Sequence, residues 1–539
     1  MARIAFCQDG LIEYMGYMQM ASVLTEAGHT VEIFFDDQLH RRRFQREISR
    51  FDPDIVGFSV LTPSRNWAVE TAGALRRATG AVTVCGNVDA ILNPDALAAT
   101  RAFDLVCIGE GERCLTELAK ALDEGRDWSR ITGFWTVSAD GEVIRNPRDE
   151  LVDMNELPPI DRAIYDKYRF FRRSPYLRVY VGRGCPFRCT FCSNTTLTEA
   201  YGGSQYMRKR DPAKFISDLE ALVASRPNKI KRIFLIDEVL WFDRAWLHEF
   251  LELYRDRIAI PFTMHFKFNG GITEADIKLM GEAGAVAIVV AAETGDEHLR
   301  RTIMNKPVSN SHILTVTSWM AKYKLRYGTT AFFGLPGQTF EKHLDELDFY
   351  REAGGVYLWS TFFQPYPGLE LTRDPQIAEL LPDVPSFDTT LHTQMYLDLP
   401  DRVRLVNLKK VYFLMYRFPR LQRPLARLCR YRIPVLFDLL FALHFTYYYL
   451  VSEGCSVYQF LVHAKDFGLN PVLRRIQPLN TSGRPFDPGY PDQPDRRTVP
   501  ERAATVADTV GADTADTVDV GADGSSSERV PVEIRRKAS

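Results

Sequence analysis

The sequence has no excess charge of either sign: 67 Lys and Arg stand against 69 Asp and Glu, a net charge of −2 over 539 residues. Such a balance creates no field that would gather a polyanion, and no nucleic-acid partner is expected. Cysteine is sparse, nine in the whole chain. No export signal is visible, so the thiols are read as facing a reducing compartment, which excludes a disulfide framework. The opening MARIAFCQDG has neither the basic n-region nor the apolar h-region of a signal peptide; it reads as a buried strand, and a cytoplasmic location is expected. Long apolar runs are nearly absent too. The exception, residues 433–451, carries Asp438 and His444, charges that are costly at mid-bilayer. It is expected as a buried or interfacial helix. Arg420, Arg423, Arg427, Arg430 and Arg432 just ahead of it favour a membrane surface slightly, but membrane association is not the expectation.

What the chain does have is the composition of a soluble globular protein, 45% hydrophobic and 25% charged, at a length that calls for two or three domains. Short apolar runs alternate with helical periodicity from the start. Residues 3–7 and 31–35 read as strands flanking a helix over Met18 to Glu26, closed by Gly28. Strands at 54–59, 81–86 and 103–109 follow, with helices over Trp67 to Thr79, near Ala96 and over Glu112 to Asp123, and a hairpin at 131–145 turns at Asp140 and Gly141. Residues 1–146 are therefore expected to form a Rossmann-like α/β domain with a parallel sheet, whose ligand lies at the C-terminal strand ends. Residues 147–175 are irregular and Pro-rich, as in a linker. A second α/β series spans 176–400, with strands at 176–182, 232–237, 262–268, 287–293, 328–334 and 356–367, which fits a partial barrel. Residues 401–490 read as helical and 491–539 as a low-complexity, disordered tail.

Six cysteines (Cys7, Cys85, Cys107, Cys114, Cys429 and Cys455) lie in apolar or helical contexts and read as small buried hydrophobes. The other three stand in GRGCPFRCTFCSN, immediately after the strand ending at Val181. A structural zinc site would need a fourth ligand, and no CxxC or HxxxH pair is near enough to nominate. Cys185, Cys189 and Cys192 on one tight loop suit an iron–sulfur cluster, with one iron left open because such clusters usually take four thiolates. Gly184 and Pro186 supply the turn.

This CxxxCxxC loop, with AAETG at 291–295 and GLPGQT at 334–339, resembles the radical S-adenosylmethionine (SAM) superfamily. The resemblance implies that Cys185, Cys189 and Cys192 are the catalytic ligands of a [4Fe–4S] cluster, whose open iron chelates SAM and cleaves it to a deoxyadenosyl radical. It also implies that Phe191 flanks adenine and that Glu293 and Asp237 make polar contacts to SAM; Glu238 follows Asp237, while Lys306 and the PYPG turn at 365–368 match without a derivable role. An electron donor such as flavodoxin or ferredoxin is implied as a partner.

The first domain resembles the cobalamin-binding domain that precedes one subclass of these enzymes, with the signature DxHxxG, SxL and GG. Ser59, Val60 and Leu61 keep SxL, Gly86 and Asn87 stand at GG, and Gly16 keeps the last residue of the first element, but Leu11 and Glu13 take the Asp and His places. A carboxylate is a poor substitute for imidazole on cobalt, so no histidine is expected on the lower face. GEGE at 109–112 matches a recurrent segment of these domains, and no GxGxxG follows the first strand.

The subclass implies methyl transfer from cobalamin to an unactivated carbon or a phosphinate phosphorus of a small secondary metabolite. The phosphinate P-methyltransferases of phosphinothricin tripeptide biosynthesis, an antibiotic pathway, are one specific candidate; Arg208, Lys209, Arg210 or Lys267 would then meet the anion. The alternative is an oxidative, ring-forming enzyme that uses the same domain pair without methyl transfer.

Overall fold

A computed structural model describes residues 1–448 apart from 11, 37–40, 139, 241–242, 269, 382–386 and 388–394, and beyond them only residues 450 and 461. Cys455, most of 449–490 and the expected tail at 491–539 lie outside the described residues.

The first sheet contains β1 (Arg3–Gln8), β2 (Thr30–Phe35), β3 (Ile55–Ser59), β4 (Val82–Gly86), β5 (Leu105–Cys107), β6 (Phe134–Val137) and β7 (Val143–Arg145), in the order β2-β1-β3-β4-β5-β6-β7. The first five strands are parallel, and β6 and β7 are the antiparallel hairpin. Ile4, Ala5, Ile55, Val56 and Val106 are almost fully buried, as expected of strands covered by helices on both faces. The strand order reverses between β1 and β3, and there the chain opens a crevice at the carboxyl ends. The helix Arg41–Phe51 was not anticipated; its arginine-rich outer face conceals the buried Phe44 and Ile48.

The segment 147–175, expected as a linker, is irregular but packed. Tyr165 and Phe171 are buried in the first domain's core, and Phe171 stacks on Phe35 with ring centroids 5.5 Å apart. Tyr165 donates from its hydroxyl to Gln8 Oε1 (3.0 Å) and accepts from the N–H of Tyr14 (2.9 Å). Its aromatics, and not its proline content, decided where it settles.

In the second domain β8 (Tyr176–Val179) is followed by a two-residue antiparallel ribbon, β9 (Gly182–Arg183) with β10 (Arg208–Lys209), and then by β11 (Arg232–Leu235), β12 (Phe262–Phe266), β13 (Ala285–Glu293), β14 (Tyr327–Phe333) and β15 (Tyr357–Phe362). The six long strands are parallel and ordered β15-β14-β13-β12-β11-β8. Parallel strands in sequential order need crossover connections, here helical, and such a series forms an arc of a barrel. Leu177, Val179, Ile233, Leu235 and Ile288 pack toward the helices, while the alternate residues Arg178, Phe234, His265, Val289 and Trp359 face the hollow.

The helix Arg402–Arg417 closes the end of the arc. Tyr412 donates to the His343 carbonyl (2.8 Å) and Tyr416 to that of Gly355 (2.7 Å). The helix Pro434–Tyr447 packs on it through the buried Phe437 and His444; the His444 Nδ1 lies 3.0 Å from the Tyr357 hydroxyl, and Asp438 pairs with Lys410 at 2.5 Å. Among the described residues no helix is long and apolar enough to cross a membrane.

Candidate active site

The cysteine loop is shaped before any thiol is reached. Gly184 has φ +90°, and a Cβ there would stand 2.9 Å from the Tyr206 carbonyl oxygen and 3.0 Å from Met207 Cα; only glycine lets the loop run flush against that segment. Asp237, at the carboxyl end of β11, accepts the N–H of Gly182 (2.7 Å) and that of Val181 (3.0 Å). Burial lifts its carboxyl to about 6 even against those donors. Further on, Thr190 donates to the Ile303 carbonyl (2.6 Å), Asn305 to that of Arg188 (2.8 Å) and Leu371 N–H to that of Thr190 (2.8 Å). Cys192 N–H and the Thr195 hydroxyl both donate to the Cys189 carbonyl, and Cys192 begins the helix Ser193–Ala200.

Cys185 and Cys189 are buried and Cys192 is half-buried; all three are free thiols. Lys267, just past β12, brings Nζ within 3.7 Å of Cys185 Sγ and 3.7 Å of Glu238 Oε2. Burial pushes the Cys185 thiol up while Lys267 pulls it down, and burial carries Cys189 to about 11 against Lys306 and Lys267. Among the described residues no three His, Cys, Asp or Glu side chains close around a single ion-sized point. A cubane, whose sulfur ligands stand at separate corners, does not need that closeness, and three free thiols beside a cation suit its anionic thiolate set.

Glu293 ends β13 with φ +67°, accepts the Thr330 hydroxyl (2.8 Å) and pairs with Lys306 (3.3 Å). Lys306, a match without a role in the sequence, also donates to the Ala291 carbonyl. Behind it Glu346 accepts Gly295 N–H (2.8 Å) and the Thr294 hydroxyl (3.0 Å); burial lifts its carboxyl to about 7. Phe191 meets Phe332 edge to face at 5.2 Å. Two of the expected contact residues have partners within the chain. Asp237 holds the loop backbone, and Glu238 lies beside Lys267. Glu293 is committed to Lys306 and Thr330.

At the edge of the first sheet Asn87 donates from Nδ2 to Ser59 Oγ (2.8 Å) and accepts Val88 N–H (2.7 Å), while Ser59 N–H donates to the Tyr17 hydroxyl (2.6 Å). Sequence reading missed Tyr17, which no motif marks. Leu61 is 37% exposed, and nothing lies within 4 Å of a Cβ built on Gly10 or Gly16, so this edge is an open cradle of a kind that fits a large flat ligand such as a corrin. Glu13, the other residue expected at this edge, has an internal partner. It is buried and ion-paired with Arg162, because a carboxylate without water needs a cation. His29 sits at the far edge, its Nδ1 3.3 Å from Ala2 N.

The two edges meet. The helix Val88–Leu92 packs on the helix Ser193–Ala200 that follows Cys192. Asn93 donates to the Pro367 carbonyl (3.1 Å) and Thr196 to that of Gly368 (3.0 Å), so the PYPG turn bridges the domains. Arg183 pairs with Glu110 (2.8 Å) and with Glu112, and Arg208 also binds Glu110. Burial raises the Glu110 carboxyl, but the two arginines outweigh it and hold it below the ordinary range. Arg210 binds Gln19 (2.9 Å) and Asp218 (3.3 Å), and Lys209 donates to the Leu240 carbonyl (2.5 Å). The basic run 208–210, expected to meet an anionic substrate, is thus committed to packing contacts. At the other end of the hollow lies a cavity of about 240 Å³, lined by His265, Val289, Arg326, Gly328, Trp359 and Tyr448.

Comparison with known proteins agrees with this division. Residues 5–119 match the B12 binding domain and residues 179–350 the radical SAM superfamily. The chain is 27% identical over 304 residues to an anaerobic magnesium-protoporphyrin IX monomethyl ester cyclase of Rubrivivax gelatinosus, covering 53% of this chain and 52% of that protein; it thus spans about half of that relative's length. It is 24% identical over 427 residues to cytidylyl-2-hydroxyethylphosphonate methyltransferase of Streptomyces wedmorensis, covering 67% and 77%. Among solved structures, the radical SAM methyltransferase TsrM from Kitasatospora setae aligns with TM-score 0.57 at 18% identity, over 71% of this chain and 77% of that one. The cobalamin-dependent SAM radical enzyme OxsB aligns with TM-score 0.60 at 16% identity, over 88% and 75%. With its loop of three thiols and its open strand edge, the chain carries a B12-binding domain at residues 5–119 ahead of a radical SAM domain at residues 179–350.

Proposed function

We propose that the chain is a cobalamin-dependent radical SAM methyltransferase that methylates an unactivated carbon or a phosphinate phosphorus of a small secondary metabolite. The observation that carries the reading is the contact between the two cofactor edges: Asn93 bonded to Pro367, and the helix Val88–Leu92 set on the helix after Cys192. When bound, a [4Fe–4S] cluster with SAM supplies a deoxyadenosyl radical, and cobalamin supplies a transferable methyl group.

Cys185, Cys189 and Cys192 would hold the cluster, and Asp237 fixes the backbone that presents them. Lys267 offsets the negative charge of the thiolates, with Glu238 beside it. Phe191 and Phe332 form an apolar wall that keeps water from a reactive centre. Ser59, Leu61, Gly86, Asn87 and Gly16 would edge the corrin, and the reactant would lie in the hollow between the two sites. The phosphinate option leans on likeness to the phosphonate methyltransferase of Streptomyces wedmorensis and not on a cationic pocket.

A second reading, oxidative ring formation without methyl transfer, is favoured by the likeness to the cyclase. The test is anaerobic reconstitution with iron, sulfide and cobalamin, then assay of products from SAM. Deoxyadenosine together with S-adenosylhomocysteine, and a product heavier by one methylene unit, supports methylation; deoxyadenosine alone overturns it in favour of oxidation.

A further inference from the structure

The C-terminal helices carry an uncovered apolar stripe beside a dense array of cations. From Arg417 to Phe437 the chain has six Arg and no Asp or Glu, within a protein whose net charge is only −2. Arg420, Arg423, Arg427, Arg430 and Arg432 are all exposed. On the helix Pro434–Tyr447 the buried side is Phe437 and His444, while Val435 (78% exposed), Leu439 and Leu443 (61%) point to solvent. Their spacing of four places them on one face. Tyr431 and Ile433 extend the exposed apolar surface toward the arginines. Asp438, at the margin of the stripe, is paired with Lys410.

We propose that this face docks on an anionic lipid bilayer, with the helix Pro434–Tyr447 lying in the plane of the interface. An apolar stripe flanked by arginines fits the boundary between acyl chains and phosphate headgroups. Charge decides against other occupants. A second copy seated on the same patch would bring like charges together. Residues 449–490 hold four Lys and Arg against three Asp and Glu and supply no counter-charge. The acidic stretch 508–528 carries charge but only small apolar side chains, which cannot cover leucines. Membrane association, not expected from the sequence, re-enters because Val435, Leu439 and Leu443 are uncovered among the described residues.

The experiment is flotation of the full chain with vesicles of phosphatidylcholine mixed with phosphatidylglycerol, against vesicles of phosphatidylcholine alone. Binding to the mixed vesicles only is expected, and it should be abolished in Leu439→Asp/Leu443→Asp. These sites are exposed, so circular dichroism and cobalamin uptake should stay unchanged. Arg423→Gln/Arg427→Gln/Arg430→Gln should weaken binding by about fivefold per arginine. No flotation, equal flotation of the aspartate variant, or a concentration-dependent dimer that the aspartates dissolve without any vesicle binding would overturn the proposal.

Discussion

Arg183, two residues ahead of Cys185, holds Glu110 and Glu112 across the domain boundary. Glu112 is 3% exposed and pairs with no other cation among the described residues, whereas Glu110 keeps Arg208, so removing Arg183 leaves one buried charge uncompensated. Arg183→Ala should lower stability by about 3–5 kcal/mol, and Arg183→Lys by less, because lysine restores charge but not the forked geometry. Thermal denaturation ranks the three proteins; equal midpoints would show that the clamp carries no weight.

Cys189→Ala should abolish iron retention after reconstitution while leaving cobalamin uptake largely intact, since the cradle at Ser59 and Asn87 shares no side chain with the loop. Iron analysis and the visible spectrum of bound cobalamin report the two separately.

Asn87 has φ +80° and ψ −171°, a backbone region that is almost exclusively glycine's. Asn87→Ala keeps the strain and loses the bonds to Ser59 and Val88; Asn87→Gly loses the bonds and relieves the strain. The alanine variant should be less stable than the glycine variant by about 1–2 kcal/mol in urea unfolding.

Glu346 is lifted by burial from an ordinary 4.5 to about 7, so the folded chain prefers it protonated. Its contribution to stability is therefore complete below pH 4.5 and is lost as pH rises through about 7. Relative to Glu346→Gln, which cannot titrate, the wild type should lose about 3 kcal/mol across that window. A difference that stays flat with pH would mean that the carboxyl is not desolvated.

The alternation of strands and helices was legible because β1, β3 and β13 are continuous apolar runs, and the helix Glu112–Asp123 was placed to the residue. The cysteine loop was legible because its spacing is local. What escaped is what depends on partners far along the chain. Nothing near Asp237 says that it will accept Val181 and Gly182, and nothing near Glu13 announces Arg162. Arg208 and Arg210 look like a solvated basic turn until Glu110 and Gln19 are folded against them. Long-range pairing of buried charge leaves no periodicity to read.

Among the described residues β8 and β15 are the outer strands of their sheet, and no pairing joins them. A closed eight-stranded barrel plugs its own centre with layers of side chains. Six strands leave the circle incomplete, and with the helix Arg402–Arg417 set against β15 the interior owes its closure to neighbouring elements and not to its own strands.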